Sequence, residues 1–352
     1  MIKHSANFIK KMKTNLITLA AAFGCAAALS SCDRQDNVST SAIEQDTETV
    51  TLSVSVGNPS TKSTATWADE AISKLGVYIF DADGSYAASG YDDTGESTVD
   101  IECQTGSGKT IFALVNYTPD VKDTSSLTIS DMMALTSDLS ENSTSAFVMS
   151  GMEEDVEITT SSAITIDVYR VAAKVSIDKI VNAIADETYI DSTFTLKGIY
   201  LINAPVDGYP LCDLEVTSYT PSTWMNKGGY VSSSTYDTYL YDSVGEVIKS
   251  DGIYDTTHEF YCYPNFTEND SQDEEWCARK TRLVVEVDLG SDTYYYPISL
   301  DEVIRNKHYH FTSLTITLRG STDPDYPIET ENFSYSVKIE DWDDVEMGGL
   351  TI

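Results

Sequence analysis

Apolar and polar residues alternate along two stretches, one near each end of the chain. In Thr49-Val50-Thr51-Leu52-Ser53-Val54-Ser55-Val56, the residues Val50, Leu52, Val54 and Val56 share one face and the hydroxyl residues share the other. That period of two predicts a half-buried β-strand. Phe333-Ser334-Tyr335-Ser336-Val337-Lys338-Ile339-Glu340 repeats the pattern and closes on Asp341-Trp342. Between these ends, strands are predicted over 75–80, 97–103, 110–116, 147–158, 163–169, 171–177, 195–203, 282–289, 293–298 and 309–318. Asp83-Gly84 reads as a hairpin turn after the first of these. Gly57-Asn58-Pro59-Ser60 breaks the first strand and predicts an exposed loop. Ser130 is placed to cap a short helix carrying Met132, Leu135 and Leu139 on one side. From 206 to 275 the periodicity is weak, and surface loops are expected there. Two β-sandwiches in tandem, over 49–167 and 168–352, are the economical architecture.

The N-terminal segment has a different pattern. Lys10, Lys11 and Lys13 precede an apolar, alanine-rich run from Leu16 to Leu29, too short for a stable membrane span. It reads as a secretion signal over 1–31, already complete from Met12. Leu29-Ser30-Ser31-Cys32 resembles the lipobox cut by lipoprotein signal peptidase, which would make Cys32 the lipidated first residue. The alternative is an ordinary cleaved signal with an incidental cysteine. Residues 32–48 are polar and aperiodic, and so read as a flexible tether.

Charge narrows the partners. The 352 residues carry a formal charge of −34; the leader holds four lysines and no acid, so its removal takes the charge to −38. Such a surface repels nucleic acid and anionic headgroups, leaving the membrane contact to the N-terminal lipid alone. With Cys25 removed and Cys32 lipidated, Cys103, Cys212, Cys262 and Cys277 remain. Cys262 and Cys277 flank a polar stretch and could cross-link a loop, but they lack the paired spacing of a zinc site.

Three short motifs suggest chemistry and fail on context. Gly106-Ser107-Gly108-Lys109-Thr110 resembles the end of a phosphate-binding loop. Cys103 stands where that loop needs its first glycine, and a β run follows where it needs a helix. A hairpin turn is the better reading. His308 and His310 share a strand face, without a third ligand near in sequence. Asp81-Ala82-Asp83-Gly84-Ser85 lacks the distal glutamate of a calcium loop. No nucleophile motif is present, so an enzyme is not expected, nor a metal or cofactor.

With both ends in view, the chain resembles the FimA-type fimbrillins, the type V pilus subunits of Bacteroidales. The resemblance is carried by the Cys32 lipobox, the first strand with Lys62 in the loop after it, and Lys74-Leu75-Gly76-Val77-Tyr78-Ile79-Phe80. Gly108–Asn116, Met133–Leu139, Val168–Val175, Val303–Tyr309 and Val337–Trp342 follow in order. It implies an all-β fold of two transthyretin-like Greek-key sandwiches with a short helix in the first. It also implies a route from an outer-membrane lipoprotein precursor to an extracellular fimbria. An Arg- or Lys-specific protease would cut between Lys62 and Ser63, where the family more often has arginine. The displaced strand would carry Val50, Leu52, Val54 and Val56. A neighbouring copy or homologous subunit would then fill the groove with its tail, 343–352, using Val345, Met347, Leu350 and Ile352 as donor residues. A stalk subunit that supports adhesion is the expected role. Alternatives are a tip or anchor subunit, or a monomeric surface lipoprotein binding a glycan or host ligand through its tyrosines and Trp224.

Overall fold

The computed structural model describes residues 48–57, 71–119, 121, 126–185, 187–211, 221–270, 275–326 and 333–341. The first half contributes β1 (Thr49–Gly57), β2 (Leu75–Phe80), β3 (Tyr86–Asp92), β4 (Thr98–Gln104) and β5 (Gly106–Val115). Helix α1 (Ile129–Met133) follows, then β6 (Ser137–Asp138), β7 (Met149–Ile158), β8 (Ala163–Asp167) and β9 (Tyr169–Arg170). These form two sheets, one of three strands ordered β4-β1-β8 and one of five ordered β3-β2-β5-β7-β9. Alternate residues from both sheets, among them Leu52, Val54, Ile101, Val77, Ile111 and Met149, meet in one apolar core.

The second half adds β10 (Ala173–Asn182), β11 (Phe194–Ile202), β12 (Ala204–Pro205), β13 (Asp207–Gly208) and β14 (Trp224–Met225). Helix α2 (Asp237–Leu240) precedes β15 (Tyr241–Ile248), β16 (Ile253–Cys262), β17 (Arg282–Leu289), β18 (Asp292–Ser299), β19 (Lys307–Ile316) and β20 (Phe333–Asp341). Two four-stranded sheets result, β16-β10-β19-β20 and β15-β11-β17-β18. The fold is all-β, as expected, with the short helix α1 in the first half.

Several local expectations need correction. The cap of α1 is Thr128, not Ser130: Thr128 and Asp131 satisfy each other's backbone amides in a capping box. Met132 is the buried residue of that helix, whereas Leu139 sits on a separate 3-10 turn over Leu139–Glu141. The stretch read as surface loops holds two long strands, β15 and β16, one in each sheet of the second half. Much of β15 and the first part of β16 are exposed, so neither burial face imposes a period of two there. Cys262 and Cys277 are not joined: Cys262 lies in the core, and the Cys277 sulfur accepts from Asn269 Nδ2 at 3.1 Å. Cys212 lies outside the described residues.

The five-stranded sheet is buried on both faces. Val77, Ile79, Ile111, Ala113 and Val115 face the three-stranded sheet. Phe80, Phe112 and Leu114 point the opposite way, into a second cluster with Met132, Leu139 and Phe147. That cluster continues through Phe147, 4.8 Å from Tyr261 between ring centroids, into the core of the second half. This double burial is why Ile111-Phe112-Ala113-Leu114-Val115 reads as an unbroken apolar run.

Gly151 on β7 lies where the two sheets of the first half approach closely. A Cβ there would lie 2.0 Å from the Asp167 carbonyl oxygen and 2.9 Å from Ile166 Cγ2. Gly151→Ala is therefore expected to destabilise the protein by ~2–3 kcal/mol through overpacking. Urea denaturation checks this, and a loss under ~0.5 kcal/mol would show that β8 yields freely.

Candidate functional site

β1 is first among the described strands yet central in its sheet. It pairs antiparallel with β4, Val50 opposite Cys103, Leu52 opposite Ile101 and Val54 opposite Val99. On its other side it pairs parallel with β8, Val54 opposite Ile164 and Val56 opposite Ile166. Leu52, Val54 and Val56 are 1%, 0% and 8% exposed, and Val50 packs at the margin of the same core. The sequence-assigned face of β1 is thus brought together as one buried row. Burial of each such side chain stabilises by ~1.5–3 kcal/mol.

The opposite face of β1 is polar and knit to β4 by side chains. Ser53 Oγ donates to Asp100, Ser55 and Thr98 hydroxyls lie 2.9 Å apart, and Gln104 Nε2 donates to Thr49 Oγ1 at 2.9 Å. Main-chain bonds close the ends: Thr105 N to the Glu48 oxygen, Val56 N to the Ser97 oxygen and Val168 N to the Gly57 oxygen, each 2.9 Å. Past Gly57 the chain enters 58–70, which holds Lys62 and Ser63 and lies outside the described residues. Cys32 and the tail residues Val345, Met347, Leu350 and Ile352 lie outside them as well.

Without β1, β4 and β8 would face each other across an empty slot, each with an unpaired backbone edge. Its walls would be Val99, Ile101 and Cys103 on one side and Ile164 and Ile166 on the other, over the apolar face of the five-stranded sheet. The sequence reading missed these wall residues, although Val99, Ile101 and Cys103 alternate as regularly as β1 does. Cys103 is 5% exposed, and burial pushes its thiol upward against the opposing influence of nearby Lys109.

β20 has an unusual surface. It is the edge strand beside β19, with Ile339 opposite Tyr309, Val337 opposite Phe311 and Tyr335 opposite Leu314. Those β19 partners are buried, but Tyr335, Val337 and Ile339 remain 39%, 39% and 59% exposed. An apolar strand face therefore lies open immediately before the C-terminal tail.

The remaining candidate motifs are accounted for locally. Lys109, from the phosphate-loop look-alike, lies on β5 and is 3% exposed, with its Nζ 2.5 Å from Asp81 Oδ1. Asp83 accepts from the amide and hydroxyl of Ser85 in the β2–β3 turn, where Gly84 has φ 82°. The His308 and His310 rings stack 5.3 Å apart and reach Ser176 Oγ and Asp178 Oδ2, each at 2.7 Å. Among the described residues, no group of three or more His, Cys, Asp or Glu could hold a metal ion. Trp224 is buried edge-on against Trp276, and Tyr230 stacks on Tyr241 at 4.0 Å over Tyr200.

Comparisons with known proteins agree with this architecture. Residues 49–191 match the model of the family described as Major fimbrial subunit protein (FimA). The resemblance to FimA-type fimbrillins is borne out by that match, which spans β1 and the whole first sandwich. A fimbrilin (FimA) from Porphyromonas gingivalis is similar in fold at 18% identity and TM-score 0.58, covering 85% of this chain and 99% of its own. A protein from Bacteroides eggerthii, provisionally assigned to cell adhesion, gives 18% identity and TM-score 0.64 over 84% of this chain and 96% of its own. A tip fimbrial protein from P. gingivalis, truncated at its C-terminus, gives 16% identity and TM-score 0.51 over 84% of this chain and all of its own. No curated protein matches the chain.

Cys103 offers a direct reporter of the slot. In the intact protein it is expected to resist maleimide, and to react at least ~100-fold faster once β1 has been released. Rapid labelling of the intact protein would mean that β1 opens spontaneously.

Proposed function

We propose that this chain is a structural subunit of a cell-surface fimbria, of the polymerising stalk type, that supports adhesion. It assembles when a protease frees β1 and a tail from another subunit takes its place. The observation that carries this reading is the position of β1, central in its sheet, buried on its apolar face and followed by the segment 58–70. Cleavage anywhere in that segment would leave β1 held to the following strands by non-covalent contacts alone. Cleavage after Lys62 would remove 49–62 and create Ser63 as the new N-terminus. Lipidation at Cys32 by way of lipoprotein signal peptidase would hold the precursor at the outer membrane until then.

Energetics explain why assembly waits for the cut. A tethered strand competes at an effective concentration of order mM, so the resident β1 wins while attached. Once it is free, dilution removes it and the slot accepts an extended segment by strand addition. The donor is the tail 343–352 of another copy or a homologous subunit. In sequence Val345 and Met347 alternate with polar residues, and Leu350 and Ile352 flank Thr351. The exposed apolar face of β20 leads directly into this donor. The division of the mature chain at 167/168 gives each sandwich one task, the first accepting a strand and the second presenting one. No catalytic chemistry is needed. The burial of Trp224 and the stacking of Tyr230 on Tyr241 favour the fimbrial reading over a monomeric glycan-binding lipoprotein.

Limited digestion of the mature protein with a Lys/Arg-specific protease tests the reading by intact mass and native gel. The expected result is a new N-terminus at Ser63, loss of β1 and a ladder of oligomers. Lys62→Ala and deletion of 343–352 should each abolish the ladder. A cut protein that sheds β1 and stays monomeric would sink the exchange mechanism.

A further inference from the structure

Loss of β1 is a severe event for the first sandwich. It strips β4 and β8 of their strand partner and uncovers one face of the five-stranded sheet. A sandwich opened in this way would ordinarily collapse or aggregate, because the exposed face is apolar and the sheet edges are bare. We infer that the second sandwich acts as a built-in holding device that keeps the first one folded, with its slot open, after β1 has left. This inference rests on the strand-release reading above and adds what sustains the intermediate.

The five-stranded sheet has two buried faces, and only one of them depends on β1. Phe80, Phe112 and Leu114 on the other face belong to the core that continues through Phe147 and Tyr261 into the second half. Release of β1 leaves that cluster untouched. The sheet's outer edge is secured as well. Arg305, 5% exposed, donates to the carbonyl oxygens of Tyr169 and Arg170 on β9 at 2.7 and 3.1 Å. The same guanidinium reaches Ser150 Oγ on β7 at 2.9 Å and the Pro210 carbonyl oxygen at 2.6 Å.

A second set of ties holds the segment that covers the sheet. Tyr263 places its hydroxyl 2.7 Å from Ser137 Oγ and accepts from Asn142 Nδ2 at 3.1 Å. Asn142 Oδ1 in turn accepts from Val148 N at 2.7 Å, and β6 pairs with β13 across the junction. None of these contacts involves β1, β4 or β8. The structure therefore divides the first sandwich into a part that can come loose and a part that cannot. β4 and β8 depend on β1 for their ladder; β2, β5 and β7 depend on one another and on the second half.

Amide hydrogen exchange on two preparations tests the inference: mature protein cut by the protease, and a chain expressed directly from Ser63. In both, β2, β5 and β7 should keep protection within about tenfold of the intact protein, while β4 and β8 lose theirs. Arg305→Met should cost β5 and β7 at least ~100-fold in protection in the chain from Ser63, and far less in the intact chain. Tyr263→Phe, a milder change, should show the same dependence on β1. Loss of protection throughout 75–170 in the unsubstituted Ser63 chain would overturn the inference. So would variants whose effects are equal with and without β1. If the cut chain keeps β1, strand release has failed, but the directly expressed chain still decides whether the second half holds the first.

Discussion

Burial of the five-stranded sheet on both faces is the constraint on which the rest of the architecture depends. A sheet with one dry face needs one partner layer; this one has two, the three-stranded sheet on one side and the helix-bearing segment with the second sandwich on the other. Each apolar side chain of β5 is assigned to one cluster or the other by strand parity. The two halves of the chain therefore share structure at a sheet and do not simply touch at a linker. Buried arginine and tyrosine hydrogen bonds at the junction fix the register between them, and each would leave a costly unpaired group if broken singly.

Against that frame of fixed layers, the three-stranded sheet is the adjustable part. Its middle strand contributes a row of small and medium aliphatic side chains and a ladder on each side, all of them features that another extended segment of like pattern can reproduce. Nothing in the row requires a particular residue: valine and leucine fill the slot by shape and transfer free energy, without a buried polar group that a substitute would have to match. Selectivity must then come from alternation, length and the polar outer edge. On that edge Asp100 and Thr98 of β4 bind the hydroxyls of Ser53 and Ser55. The strongly negative formal charge works in the same direction, since bodies carrying so much like charge repel one another.

The sequence made the strands legible wherever one face is buried and the other wet. β1, β4 and β20 alternate cleanly, and their burial faces follow from parity alone. β2 and β5 were recognisable as apolar runs, but the reason for the unbroken run, a second buried face, needed the fold. β15 and β16 escaped because their exposed portions carry no burial signal, and Asp242, Ser243, Gly245 and Asp255 there suit loops better than strands. Thr128 lost its place as cap to Ser130 because both residues are good caps; Asp131 three residues after Thr128 was the discriminating signal. The candidate site was half legible. The Val50-to-Val56 row was readable from its pattern, whereas the walls contributed by β4 and β8 are far apart in sequence and become neighbours only through β1.

If β1 is released as proposed, its position along the chain is what makes an ordinary sandwich one that can be opened. An interior strand excised by one cut would stay tethered at its other end and would re-enter its slot at high effective concentration. On the proposed reading β1 is followed by one connection to the body, the segment 58–70, so one cut there would free it. The opened sandwich then needs support from elsewhere. On the inference above, the sheet beneath the slot obtains it from its opposite face, whose cluster contains no residue of β1. On the proposed reading, removable strand and permanent backing are two sides of the same sheet arrangement, since Phe80, Phe112 and Leu114 face away from β1.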